Sequence, residues 1–155
     1  REDWARVARM LHRLGWRLEE EPSMAAVVVA ARLAPSSRFL AAVALAARGR
    51  LKITSQRWLD DCAKNSAWLP PHNYPLKDAA AERALGCSLD VATRPDATDD
   101  GLLATRTVSW REGCPMGLDD ARRVVVAAGG RFCGEDGDTD LVLGPSMPSR
   151  HSNVR

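Results

Sequence analysis

No apolar run in this 155-residue chain is long enough to cross a bilayer. The longest, residues 24–31 and 39–47, are eight and nine residues, against the roughly 20 that a spanning helix needs. A soluble protein with no membrane partner is therefore expected. Nor is there a run of like charge. The 22 basic and 20 acidic residues are scattered and leave a net charge of +2, so nothing could track a phosphate backbone, and direct nucleic-acid binding is not expected. Cys62, Cys87, Cys114 and Cys133 form no Cys-x-x-Cys pair and have no His at ligand spacing. That argues against a metal site and predicts reduced thiols of an intracellular protein. The chain opens Arg1-Glu-Asp-Trp4, with no Met and no apolar core before a small-residue cleavage site. This predicts an excerpt of something longer that is not secreted.

Catalytic patterns are missing too. Asp60 and Asp61 are adjacent in a helical stretch and point in different directions, so they make no acid–base pair. His12, His72 and His151 are scattered, and no nucleophile sits in a strand-turn-helix setting. Residues 134–138 (Gly-Glu-Asp-Gly-Asp) look superficially like a calcium loop but lack the twelve-residue ligand series ending in Glu, and read as a surface turn. Residues 103–107 precede Gly113 without any Gly-x-x-x-x-Gly-Lys-Ser/Thr. No catalytic residue, metal ligand or cofactor is expected.

What is present is a patterned α/β chain, 45% hydrophobic and so able to build a core. Trp4, Val7, Leu11 and Leu14 recur at helical spacing until Gly15. Residues 16–18 alternate like a short strand, and the β-branched run 27–29 reads as a fully buried strand of a parallel sheet. Pro35-Ser36-Ser37 looks like a helix start, with an Ala/Leu-rich helix over 38–47 ended by Gly49. Residues 51–54 are the next strand, and Ser55 can cap a helix carrying Trp58, Leu59, Cys62 and Ala63 on one side. Pro70-Pro71 closes this unit. The polar stretch 77–101 reads as a linker with a helical centre at 79–85. Then come a strand-like segment at 104–110, a helix at 118–128, a break at Gly129-Gly130 and a short buried-type strand at 140–143. Strands of three to five residues alternating with helices predict a small parallel α/β sandwich, made twice. Gly15 precedes Val27 by twelve residues, as Gly129 precedes Leu141, which hints at an internal repeat.

Three passages resemble the BRCT domain family. Residues 53–74, with Trp58 in the helix and Tyr74 after the prolines, are similar to the last strand and helix of a repeat. Residues 118–132 are similar to its first helix and Gly-Gly turn. Residues 76–89 (Leu-Lys-Asp-Ala-Ala-Ala-Glu-Arg-Ala-Leu-Gly-Cys-Ser-Leu) resemble the inter-repeat linker of the tandem branch that includes mediator of DNA damage checkpoint protein and PAX-interacting protein. The resemblance implies two tandem repeats in the α/β class. The first spans 1–76 without its first strand, a linker spans 77–103, the second spans 104–144 without its C-terminal part, and a disordered tail spans 145–155. Independently of the family, Trp58 on the inner face of a helix would bury on the order of 200 Å², and Gly129-Gly130 lets the chain leave a helix in a left-handed turn.

The resemblance also implies a function: a nuclear scaffold of DNA repair and the DNA-damage response that docks phosphoserine or phosphothreonine proteins, a phosphorylated histone tail among the candidates. In phosphopeptide-binding tandem BRCT modules the first repeat supplies a Ser or Thr hydroxyl and a Gly amide from its first strand, and a Lys from its second helix. An Arg three positions before that Lys holds the peptide main chain. On residues 35–40 this puts Arg38 at the lysine and Pro35 at the arginine. Arg38 keeps the charge and can pair with a phosphate in bidentate fashion, whereas Pro35 has no donor, leaving Ser36 and Ser37 as substitutes. The rival expectation is a phosphate-independent interaction module, such as an appendage of a DNA repair enzyme, in which Arg38 is incidental.

Overall fold

Among the described residues two parallel sheets organise the fold, one of two strands and one of three. The computed structural model describes residues 2–95, 100–134 and 139–145. Nearly all of the expected tail at 145–155, most of the acidic turn at 134–138 and the side chain of Trp4 lie outside the described residues.

Helix α1 (Glu2–Arg13) leads to a 3-10 turn at Pro22–Met24, then strand β1 (Val27–Ala30), helix α2 (Ser37–Ala47), strand β2 (Lys52–Ser55) and helix α3 (Gln56–Asn65). β1 and β2 pair in parallel from Val27↔Lys52 to Ala30↔Ser55, as a strand-helix-strand crossover requires. Alternate side chains then face opposite layers. Val27 packs with Leu11, Trp58, Leu59 and Cys62 beneath α1 and α3, while Val28 and Ile53 pack with Ala42, Ala46 and Leu51 beneath α2. The result is a sheet with a helix layer on each side. Within the α1/α3 layer Trp58 stacks on Trp16 at 5.4 Å and meets the edge of Trp68 at 5.0 Å. Its indole Nε1 donates to the Leu69 carbonyl at 2.8 Å, so the polar end of the ring is satisfied inside the core.

The linker is docked rather than free. It carries α4 (Ala79–Leu85) and α5 (Leu89–Ala92), and Leu76 and Leu89 join Phe39 of α2 in a buried cluster. Asp78 fastens it twice: one carboxylate oxygen caps α4 by accepting from Ala81 N at 3.1 Å, and the other accepts from Leu33 N at 3.2 Å. Asp78→Ala is therefore expected to cost about 1–2 kcal/mol. Hydrogen exchange checks this: protection at Leu33 and Ala81 should fall while that of α3 stays.

The second sheet places β3 (Thr107–Trp110) between β4 (Arg131–Phe132) and β5 (Leu141–Leu143), all parallel, with α6 (Leu118–Ala127) crossing from β3 to β4. β4 was not legible in the sequence: two residues are too few for a period-2 pattern.

Several expectations need correction. Residues 16–18 are not a strand. In the second sheet β4 and β5 both pair with β3, but among the described residues no strand lies beside 16–18 to give their backbone a ladder. β1 is half-buried rather than fully buried, with Val29 37% exposed, and β5 is more open still, with Leu141 and Val142 at 45% and 47%. β3 begins at Thr107, not 104, because Thr105 takes a left-handed turn conformation (φ 63°). Ser55 occupies the N-cap of α3, yet its side chain accepts no capping bond.

Candidate functional site

The residues singled out for ligand binding lie at the start of α2, where the two units meet. α2 and α6 pack against each other and run in the same direction. Ser37 at the start of α2 bonds Asp120 near the start of α6 (2.6 Å), and Arg48 just past the end of α2 donates to the carbonyl of Ala127 at the end of α6 (3.1 Å). Small side chains permit the close approach: Ala41 on α2 and Ala121 on α6 are essentially inaccessible.

Ser36 is the N-cap of α2, its hydroxyl accepting from Phe39 N at 3.2 Å. Ser37 donates to Asp120 Oδ1 and accepts from Arg123 Nη1 at 3.2 Å. Both hydroxyls thus have partners already. Arg38 points to solvent, its side chain 58% exposed, with Glu21 Oε1 at 3.9 Å from Nη2. Pro35 is exposed beside them. Trp58 stands in the core of the first unit, and Gly129 and Gly130 stand at the turn out of α6, so neither belongs to this cluster.

Three residues that the sequence did not single out complete it. Arg123 of α6 donates through Nη1 to Asp120 Oδ1 (2.8 Å), and its Nε and Nη2 face Glu21 Oε2 and Oε1 at 3.3 and 3.5 Å. Glu21 and Arg123 are 102 residues apart, so no local pattern could join them. The cluster balances two guanidiniums, Arg38 and Arg123, against two carboxylates, Glu21 and Asp120. Arginines presented in this way offer planar forks suited to carboxylate or phosphate oxygens.

A second feature is an open cleft of about 370 Å³ lined by Ser55, Arg57, Asn73, Tyr74, Pro75 and Lys77. The Tyr74 phenol is held above its ordinary pKa by desolvation first, then by its hydrogen bond to Asp61 and that carboxylate's charge. Asp61 also pairs with Arg57 at 3.6 Å and Lys64 at 3.7 Å. It serves as the centre of an ion-pair network on α3, with Asp60 exposed beside it. Among the described residues no three His, Cys, Asp or Glu side chains gather as a metal site, and no helix is long and apolar enough to cross a membrane.

No protein-family model and no curated protein sequence matches the chain. Among solved structures it is similar to the crystal structure of the S. pombe Brc1 BRCT5-BRCT6 domains, with a TM-score of 0.65 and 22% identity over 81% of this chain and 59% of that one. The chain thus spans about three fifths of the length of the structure it matches. At this similarity the likeness establishes the fold: small parallel sheets flanked by helices, in the arrangement of two successive BRCT domains.

Proposed function

We propose that this chain is a tandem BRCT module that recruits phosphorylated proteins in the DNA-damage response, acting in the nucleus as a scaffold in DNA repair and not as an enzyme. The repeats are drawn at 1–76 and 104–144, joined by 77–103, in the branch of mediator of DNA damage checkpoint protein and PAX-interacting protein. A phosphoserine or phosphothreonine, that of a histone tail included, enters at the start of α2 against Arg38, with Ser36 and Ser37 beside it, and the following peptide residues lie along the seam between α2 and α6. Trp58, Gly129 and Gly130 maintain the repeats and touch no ligand. Support for this reading comes chiefly from the seam, where Arg38 of one unit and Arg123 of the other converge on a single carboxylate.

One observation favours a different reading. The serine hydroxyls are engaged and both arginines face carboxylates, as suits a phosphate-independent interaction module, such as an appendage of a DNA repair enzyme, in which the cluster only clasps the units. A degenerate phosphoserine peptide pool and its dephosphorylated twin, followed by fluorescence anisotropy, separate the two. Selective binding of the phosphorylated pool, weakened at least about tenfold (~1.4 kcal/mol) by Arg38→Ala, is the expected result. Equal or absent binding of both pools would replace it with the phosphate-independent reading.

A further inference from the structure

The position of Glu21 is not explained by its own turn. It precedes the 3-10 turn at Pro22–Met24, where its side chain makes no capping bond. Instead its carboxylate reaches across the seam: Oε2 lies 3.3 Å from Arg123 Nε, and Oε1 lies 3.5 Å from Arg123 Nη2 and 3.9 Å from Arg38 Nη2. One carboxylate therefore lies against a guanidinium edge of the second unit and touches the arginine of the first. That is the geometry of an Arg–anion fork. Arg123 is fixed for this contact, because its remaining nitrogen Nη1 is held by Asp120 and Ser37. The side chains of Glu21 and Arg38 are 44% and 58% exposed, so an incoming anion has access to both.

We infer that Glu21 is an internal placeholder for the ligand's phosphate, and that Arg123 of the second unit is a phosphate ligand alongside Arg38. The inference rests on the phosphopeptide reading and extends it. A phosphate presents three acceptor oxygens and a charge near −2, so it can satisfy the Arg123 edge and Arg38 together, where Glu21 offers two oxygens and one charge. The Glu21–Arg123 pair is only partly buried, its side chains 44% and 29% exposed, so the exchange costs little more than a surface ion pair, and Glu21 regains water on release. Two consequences follow. Ligand affinity is set by competition with Glu21, and occupancy ties the two units together through arginines contributed by both. An ordinary ion-pair clasp would do neither.

The test uses the full chain, with inorganic phosphate and the phosphoserine peptide pool as probes. Binding is followed by anisotropy for the pool and by the ¹H–¹⁵N signals of the arginine Nε–H groups for phosphate. Glu21→Gln keeps the shape and removes the competing charge, and is expected to tighten both probes by about twofold to fivefold. Arg123→Gln is expected to weaken them about tenfold or more, and phosphate should shift the Arg123 Nε–H signal in the parent chain. Glu21→Asp, too short to reach both arginines, is expected to tighten binding in the same direction and guards against a folding defect peculiar to Glu21→Gln. If the parent chain binds the pool through Arg38 but neither Glu21 variant tightens it and Arg123 is silent, the placeholder idea is overturned and the phosphopeptide reading stands. If neither the parent nor the Glu21 variants bind either probe, the phosphopeptide reading fails and takes the inference with it.

Discussion

Replacing Trp58 with Ala is expected to destabilise the first unit by about 3–5 kcal/mol, the range for emptying a large aromatic from a core. The ring is 2% exposed, and three separate losses fall on one substitution. Its stack on Trp16 and its edge contact with Trp68 go together, leaving Trp68, already 51% exposed, with Trp16 alone of its two ring neighbours. The Leu69 carbonyl loses its donor. The floor beneath Leu11, Leu59 and Cys62 opens. Since domains of this size have only about 5–15 kcal/mol in hand, this one substitution removes a large share of the stability. Urea denaturation gives the size of the effect, and near-ultraviolet circular dichroism reports the Trp16–Trp58 stack directly. A loss below about 1 kcal/mol would mean that α3 is anchored elsewhere.

Trp58 also shows which kind of information the sequence carried. Its burial was legible because a helix face is a local property: Trp58, Leu59 and Cys62 recur at one-, three- and four-residue spacings, and all three are buried. The start of α2 at Pro35-Ser36-Ser37 was legible for the same reason, since the capping hydroxyl of Ser36 and the amide it accepts from are three residues apart. Strand residues 16–18 misled because alternation states only that a strand is possible, while a strand exists only if a neighbour pairs with it. β5 misled in the opposite sense, since Leu141 and Val142 have the composition of core and are half exposed; what covers a strand face is set by the whole sheet. The candidate site was legible by half. Arg38, Ser36 and Ser37 lie in one hexapeptide, but the residues that determine what they can do, Glu21, Asp120 and Arg123, come from a turn before β1 and from α6, more than 80 residues beyond Ser37. The charge on Arg38 could be read from its letter; the carboxylate facing it could not.

The second large effect is expected at Gly129, where a single methyl group should cost about 2–5 kcal/mol. Two terms add. Gly129 has φ +85°, and an L-residue in the left-handed region pays roughly 1–2 kcal/mol. A Cβ placed there would also run into the carbonyl oxygen of Asp100, and backbone cannot turn aside as a side-chain tip can, so the strain of overpacking, about 1–3 kcal/mol, is added. The contact is reciprocal, because Gly101, at φ +90°, approaches the Ala128 carbonyl, and Leu103 N donates to that same oxygen at 2.9 Å. The end of α6 and the end of the linker thus meet backbone to backbone, and the bond from Arg48 to the Ala127 carbonyl is one residue away. Gly15→Ala separates the two terms. Gly15 has φ +72° but open space around the position of a Cβ, so only the conformational term applies and about 1–2 kcal/mol is expected. If Gly129→Ala costs no more than Gly15→Ala in chemical denaturation, the linker yields and the close approach is not a constraint. If it costs clearly more, and the Arg48–Ala127 end of the α2/α6 seam loses hydrogen-exchange protection with it, then the glycine turn is what holds the second unit against the first.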